Sequence, residues 1–493
     1  MDPSKPHDAR ERGRIIPIAP ARGCSRAGGR AGCGATEDAA RLPAATRERI
    51  REHPCYSEQA HHHFARMHVA VAPACNVQCH YCNRKYDCAA ESRPGVTSER
   101  LAPEQALRRV LAVAARLPQL SVVGIAGPGD ALANPGATFR TLALVREAAP
   151  DLKLCLSTNG LALPDHAERL AAAGVDHVTV TINAIDPHVA AGIYPWVFFR
   201  HRRHHGLAAA RILIERQVQG LERLVALGVL VKVNSVMIPG VNDAHLPDVH
   251  RAVMARGAFL HNVMPLISDP AHGTHYGLTG QRAPTGEELA ALQDRCEGGA
   301  RLMRHCRQCR ADAVGLLGED LAQDAWQHDD PPPAYDTNAR AAYRRFVERE
   351  RADRDAAESR SLAGLAALDL PAARVAVATR GGGRINQHFG HATELLVYEV
   401  SPGGIRLLGV RKVERYCAGG AEDEEAMPSL LRALADCRAV LVAKIGTCPR
   451  RSLAAAGIEA SDAYAHQYIE ASLAEWYRAR AAVPARAAGA PAA

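Results

Sequence analysis

His68-Val-Ala-Val-Ala-Pro-Ala-Cys75-Asn-Val-Gln-Cys79-His-Tyr-Cys82 is a short apolar run that ends in three cysteines spaced C-x3-C-x2-C. The run reads as a strand, and it opens a series. LSVVGIAGPGD from Leu120, LKLCLSTNG from Leu152, DHVTVTINA from Asp176, VLVKVNSVMIPG from Val229 and FLHNVMPLI from Phe259 repeat the pattern. Amphipathic helical segments such as LAPEQALRRVLAVAARL and LPDHAERLAAAG lie between them, and Leu207 to Gly228 is the longest. Six strand-then-helix repeats imply a parallel sheet with buried strands. Right-handed crossovers would curl it into a closed or partial six-fold, TIM-like barrel, an α/β fold. Sites in such folds sit at the C-terminal ends of the strands. There the sequence places Cys75, Gly127–Asp130, Cys155 to Asn159, Asn183 and Asn234.

The remainder of the 493 residues surrounds that core. Residues 1–50 are rich in Arg, Gly and Ala and are expected to be a disordered tail. Residues 51–320 are expected to form the first unit, which holds the repeats. Residues 321–371, with Pro331–Pro333 and a highly charged helical stretch, read as a linker. A second alternating pattern over 372–480 predicts a smaller α/β domain, followed by a disordered tail at 481–493. Apolar residues at 47% and charged residues at 23% suit a globular protein. No run approaches the ~18 apolar residues of a membrane span. The N-terminal MDPSKPHDARERGR lacks the apolar core of a secretory signal, so a cytoplasmic location without membrane contact is expected. The net charge of +7 is scattered and aromatics are 4%. A nucleic-acid groove would want a basic stripe interleaved with stacking rings, so no nucleic-acid partner is expected.

Fourteen cysteines are too sparse for a disulfide scaffold in a chain this long, which argues for metal or redox chemistry. Three thiolates on one tight loop can bind three irons of a [4Fe–4S] cube and leave the fourth open. The alternative, a zinc loop or closed ferredoxin-like site, needs a fourth ligand. Cys306-Arg-Gln-Cys309 is a second ligand or redox pair, without the second C-x2-C of a zinc site or a redox βαβ context. Cys55, Cys88 and Cys155 fall near the same barrel mouth, although a lone cysteine is more commonly a small buried hydrophobe. Two further cubes ligated only by thiolates would need eight, and these positions supply five. Either one cluster is absent, or His53 and Glu91 contribute, or the clusters are under-ligated. Under-ligation suits a substrate more than a permanent cofactor. The glycines of Gly127-Pro-Gly129-Asp130 allow close backbone approach to a ligand, or form a plain turn. His61-His62-His63 reads as a solvated turn or helix face with at most one residue inward. His201 to His205 reads as an exposed basic connection.

The triplet resembles the signature of the radical S-adenosylmethionine (SAM) superfamily. That resemblance implies an open iron that chelates the amino and carboxylate groups of SAM. It also implies reductive cleavage to methionine and a 5′-deoxyadenosyl radical. Tyr81 would contact adenine, and Gly127, Gly129 and Asp130 would form the loop at the SAM amino group. Thr181, Asn183, Asn234 and Ile238 would add contacts at strand ends. The runs Asn83 to Val96, His53 to Tyr56, Ile125 to Asp130, Leu156 to Gly160 and Cys306 to Gly318 are similar to those of the NifB family of nitrogenase cofactor maturation. Ala90 and Ala131 depart from that family's usual Asn and Pro.

This second resemblance implies three [4Fe–4S] clusters. Cys75, Cys79 and Cys82 hold the SAM-cleaving one, and Cys306 and Cys309 one substrate unit. Cys55, Cys88, Cys155, His53 and Glu91 surround the other. It implies fusion of the two units, a methyl from one SAM, hydrogen abstraction by the radical from a second, and an added sulfur that completes an [8Fe-9S-C] product with a central carbide. Cluster-donor proteins, a reductant such as ferredoxin or flavodoxin, the carrier NifX and the scaffold NifEN are the implied partners. Over about 374–480, His388-Phe-Gly-His391 and Tyr416-Cys417-Ala-Gly-Gly420 resemble the NifX/NifY family of small cofactor carriers, with a ribonuclease H-like α/β fold. It implies that His388, His391, Cys417 and Cys448 are candidates to hold product; as plain residues they could equally cap a turn or fill a core. Two rivals are a radical SAM enzyme that modifies a peptide or small molecule beside permanent auxiliary clusters, and a non-catalytic iron–sulfur scaffold or electron carrier.

Overall fold

The computed structural model describes residues 43–482, except position 58 and the segments 85–92, 297–301, 318–320, 322–334, 419–420 and 423–425. Ten strands make up the first unit. They are β1 (Ala65–His68), β2 (Val77–Gln78), β3 (Leu120–Ile125), β4 (Lys153–Thr158), β5 (His177–Thr181), β6 (Trp196–Phe199), β7 (Arg202–His205), β8 (Leu230–Met237), β9 (Leu260–Pro265) and β10 (Val314–Gly315). The main sheet runs β10-β1-β3-β4-β5-β8-β9. Six of its strands are parallel, and β10 adds antiparallel to β1. Five of the six lie in the predicted runs, whereas β1 ends at His68, where the first predicted run begins; every residue of β3 is buried, as a two-sided parallel strand requires. The sheet curls into a half-barrel and does not close.

Helices Pro103–Arg116, Pro135–Ala148, Leu163–Ala172, Gly206–Ala226 and Leu246–Ala255 follow the strands. Four of them carry a proline in the first turn, where its missing N–H and fixed φ cost nothing. Leu120, Leu154, Leu156, Val178 and Val231 meet the helices in one continuous core.

The run from Trp196 to His205 is not a plain connection. It is the β6–β7 hairpin, extended by β2 into a separate three-stranded sheet. Arg203 lies 4.6 Å over the Trp196 ring.

The second unit is a five-stranded mixed sheet in the order Gly404–Lys412, Glu394–Ser401, Ala373–Val377, Ala439–Leu441, Glu459–Ser461. The first three strands are antiparallel and the last three parallel. Helix Ile469–Ala482 packs on this sheet through Ile469, Leu473, Trp476 and Tyr477. Between the units runs helix Thr337–Leu362, capped by the Asp336 carboxylate on Asn338 N and Ala339 N. It joins the two by arginine. Arg340 Nε donates to Asp151 Oδ2 at 2.9 Å and its Nη2 to Leu120 O at 2.6 Å. Arg344 reaches Asp151 and Glu52. Further along, buried Arg354 forms a two-pronged pair with Glu470, and Glu350 takes Arg384 at 3.0 Å.

All three of His61, His62 and His63 are buried, against the expectation of a solvated turn. The second unit and the arginine helix cover them. Gly382 N donates to His62 O at 2.7 Å, and Tyr343 OH to His63 O at 2.6 Å. Among the described residues no helix is long and apolar enough to cross a membrane.

Two outcomes follow from this packing. Arg354→Ala strands the Glu470 carboxylate and should cost about 3–5 kcal/mol, whereas Arg354→Met with Glu470→Leu should recover most of it; calorimetric melts of both variants check this. Burial first, then Arg66, lowers His68 to about 4. Burial first, then His250, lowers His261 to about 3. Both stay neutral in the fold yet titrate near 6.5 when unfolded. Their contribution is therefore complete above that pH and is lost as pH falls. Urea unfolding of the metal-free chain at pH 5.5 should show roughly 1 kcal/mol lost per histidine relative to pH 7.5. A flat profile would refute it.

Candidate functional site

Past β1 the chain runs along the end of β3. Gly129 N donates to Ala72 O at 2.7 Å and Asp130 N to Ala74 O at 2.8 Å. The approach is so close that a Cβ on Gly129 would sit 2.1 Å from Ala74 O. Gly127 has φ +138°, a conformation that glycine supplies. The buried Asp130 carboxylate accepts from Leu132 N (2.9 Å), Ala133 N (3.1 Å), Thr158 Oγ1 (2.9 Å) and Asn159 N (2.6 Å). Its charge is thus spent inside the protein, joining the ends of β3 and β4. Asn159 carries the link onward. Its Nδ2 donates to Asn76 Oδ1 at 2.7 Å and reaches Cys75 Sγ at 3.6 Å.

The triplet loop closes on itself. Gln78 Nε2 donates to the carbonyls of Cys79 and Cys82, each at 3.1 Å. Burial, with Asp130 adding, pushes the Cys75 thiol up to about 12. Burial also raises Cys79, with Cys82 and Cys75 adding, and it raises Cys82. Three adjacent half-buried thiols ionise together only when a metal supplies the positive charge. The donor set therefore fits a cluster of soft metal ions. Among the described residues no three His, Cys, Asp or Glu side chains converge on a single-ion site.

Tyr81 OH accepts from Asn183 Nδ2 at 2.9 Å, and the same amide reaches Tyr194 OH at 2.9 Å. Asn183 Oδ1 accepts from Val236 N. Asn183 and Ile238 are fully buried, and Ile238 N is held by Asn242. Thr181 and Asn234 are half-buried. Gln217 donates to Thr181 O, and Asn262 donates to Asn234 Oδ1. The strand-end residues thus divide into a buried pair that orients Tyr81 and a more open pair.

A second group of half-buried thiols gathers in the same unit. Burial pushes Cys55 up to about 11, with Cys309 and Cys306 adding and Lys232 opposing. Burial pushes Cys155 up to about 12, with Cys55 adding and Lys232 opposing. Cys306 touches both apolar clusters, the one containing Cys75, Cys79 and Tyr81 and the one containing Cys55 and Cys309. The structure therefore brings together the triplet, Cys55, Cys155, Cys306 and Cys309. His53 is buried beside them, with Tyr56 and His177 against its ring. Its Nδ1 accepts from Cys55 N, and among the described residues its Nε2 meets no hydrogen-bond partner. Cys88 and Glu91 lie outside the described residues.

Two cations here escaped the sequence reading. Arg66 Nη2 donates to Cys309 Sγ at 3.3 Å. Lys232 is buried 5.6 Å over the Tyr56 ring and 3.9 Å from Met303 Sδ. Their signal was a lone charge inside an apolar strand, ARMHVAV and VLVKVNSV.

In the second unit, His388 and His391 have ring centroids 4.7 Å apart. His388 Nδ1 accepts from Gly390 N and so caps its own turn, while His391 is exposed. Cys417 pairs with Glu422 in a two-residue ladder. Cys448 lies in helix Thr447–Ala455, with Arg451 Nη2 at 3.8 Å.

Replacing the Asp130 carboxylate tests this hub. Asp130→Ala orphans four donors and should cost about 3 kcal/mol, with Asp130→Asn intermediate. Denaturant titration reads the cost, and iron bound after reconstitution should fall with it.

The radical SAM superfamily model matches residues 69–253, which span the loop and strands described above. That of the dinitrogenase iron-molybdenum cofactor family matches residues 371–479. The FeMo cofactor biosynthesis protein NifB of Bradyrhizobium diazoefficiens is 58% identical over 455 residues, 92% of this chain and 91% of that one. NifB of Herbaspirillum seropedicae is 56% identical over 467 residues, 93% and 89% of the two chains. NifB of Azotobacter vinelandii is 54% identical over 471 residues, 92% and 93%. The radical SAM domain implies a [4Fe–4S] cluster and SAM, which the triplet and its surroundings fit. With identity above one half over about nine-tenths of its length, the chain belongs to the NifB family, radical SAM proteins of FeMo cofactor biosynthesis.

Proposed function

We propose that this chain fuses two [4Fe–4S] substrate units, builds a SAM-derived carbon into them and takes up one further sulfur, giving an [8Fe-9S-C] precursor of FeMo cofactor. The observation that carries the reading is the position of Cys306, in contact with both the triplet's apolar cluster and that of Cys55 and Cys309. Groups bound on either side of it would be neighbours.

Cys75, Cys79 and Cys82 would hold the SAM-cleaving cluster, with one iron left for SAM. Bound there and reduced, that cluster supplies the chemistry of SAM cleavage. Gly127 and Gly129 bring backbone to the rim of the SAM space, and Asp130 fixes that rim. Tyr81, oriented by Asn183, bounds the space beside Cys79. Thr181 and Asn234 are half-buried at the mouth and remain candidates for contact with SAM.

Cys306 and Cys309 would bind one substrate unit, and Cys55, Cys155 and His53 the other, with Cys88 and Glu91 as further candidates. Arg66 and Lys232 offset the negative charge that thiolate-bound clusters bring into an apolar site. Tyr56, Phe259, Met303 and Leu317 wall it off from water. Too few thiols are gathered to saturate two units, so neither is locked in place and a fused product can leave. Iron–sulfur donors, a ferredoxin- or flavodoxin-type reductant, NifX and NifEN are the partners this reading requires, in the cytoplasm.

The test is anaerobic. The full chain is reconstituted with iron and sulfide, then given dithionite and SAM labelled in its methyl carbon. We expect 5′-deoxyadenosine, S-adenosylhomocysteine and label retained in a protein-bound cluster. Cys79→Ala should abolish the nucleoside. Cys55→Ala and Cys306→Ala should lower iron per chain and remove retained label. Unchanged iron and label in both would defeat the proposal.

A further inference from the structure

The β6–β7 hairpin is built onto the cysteine loop itself. Its residues Trp196 and Val197 pair with Gln78 and Val77, which lie between Cys75 and Cys79. Phe198 N donates to Asn76 O at 2.7 Å, and His80 N donates to Ile193 O at 2.9 Å. Successive side chains of a strand point to opposite faces. Val197 and Phe199 turn inward, to the apolar cluster against which Cys75 and Cys79 pack. Phe198 turns outward and is 47% exposed. Opposite it on β7 stands Arg203, whose guanidinium lies over the Trp196 ring. β7 is the outer strand of the β2-β6-β7 sheet. Two strand spacings, roughly 10 Å, separate it from the cysteine loop.

Charge is one-sided here. Between Asp186 and Glu215 the sequence has no carboxylate and four arginines, Arg200, Arg202, Arg203 and Arg211. The first three are exposed, and among the described residues none of them meets a carboxylate. Arg200 and His201 form the turn at φ +50° and +61°. Asn and Gly adopt that conformation at lower cost, so the tip keeps its basic residues against the preference of its backbone. A charge on an edge strand deters the addition of another strand, but that role asks for neither an exposed ring nor a charge in the turn.

We infer that this hairpin is the docking surface for an acidic one-electron donor protein that reduces the cluster held by Cys75, Cys79 and Cys82. The inference rests on the proposed function, in which that cluster is reduced before SAM is cleaved. The donor loses one electron and the cluster gains it, with no bond formed between the proteins. Carboxylates of the donor would meet Arg200, Arg202 and Arg203, and the apolar rim of its redox group would meet Phe198. A patch one hairpin long with one exposed ring is too small for a nucleic-acid groove. Its place, backbone-paired to the cysteine loop, is the one an electron route requires.

Two anaerobic measurements on the reconstituted full chain test it, with an acidic bacterial flavodoxin as probe. Calorimetry at low salt reads binding. Arg200→Glu/Arg202→Glu/Arg203→Glu should weaken it about tenfold, and the milder Arg200→Gln/Arg202→Gln should weaken it less. Added salt should weaken the parent's binding more than either variant's. The second measurement is the initial rate of 5′-deoxyadenosine formation, driven by reduced flavodoxin or by dithionite, which needs no docking. In the triple variant the flavodoxin concentration for half-maximal rate should rise about tenfold, with the dithionite-driven rate unchanged. A parent chain that binds no flavodoxin overturns the inference, and so do variants whose binding and flavodoxin dependence match the parent's. An equal loss with dithionite also overturns it, because the hairpin would then only brace the loop. So does a single-stranded oligonucleotide that binds the parent more tightly than flavodoxin and is lost in the triple variant. A parent chain that dithionite cannot drive defeats the proposed function instead, and calorimetry still decides the surface.

Discussion

The contact between Gly129 and the Ala72–Ala74 backbone, with the Asp130 carboxylate behind it, sets the geometry of the whole mouth. There is no room for a side chain at Gly129, so the segment after β3 lies flush against the segment that leads into the cysteine loop. Asp130 then ties the end of β3 to the end of β4, and Asn159 ties β4 to Cys75. A loop of two strand residues and several turns has little rigidity of its own. Here it is held from three directions, and three sulfur donors keep fixed relative positions, as a cluster site requires.

Charge is the second constraint. Burial disfavours each thiolate, and several thiolates side by side would repel one another. The strands of the first unit bury histidines and hydroxyls among their apolar residues, and Arg66 and Lys232 add charge to that interior beside Cys309, Cys55 and Cys155. A buried cation is expensive when alone and favourable when anions accompany it. Arg66 is held by the carbonyls of Gly315 and Leu316 and by Cys309 Sγ, and anions bound beside these two cations would offset the cost of burying them.

The half-barrel was legible because its signals are local. Strand length, proline at helix starts and glycine at strand ends repeat every few dozen residues. The triplet and the C-x2-C pair were legible for the same reason. The β6–β7 hairpin was not, because its turn uses Arg200 at φ +50° and His201 at φ +61°, where a reader looks for Asn-Gly. The strand Gly404–Lys412 did carry a signal, the SPGG turn between two alternating runs, and it went unread. The burial of His61 to His63 could not be read at all. It depends on Gly382 and Tyr343, about 300 residues away in sequence.

That last case bears on why the two units share one chain. Helix Thr337–Leu362 does more than connect them. Arg340 and Arg344 fix its first half to the first unit, and Glu350 and Arg354 fix its second half to the other. A flexible tether would raise the effective concentration of one unit near the other but leave their orientation free. Paired arginines instead specify orientation, because each guanidinium meets its carboxylate in only one docking geometry. The two units therefore keep one arrangement before any ligand arrives, and a partner that binds across both pays no further cost for bringing them together.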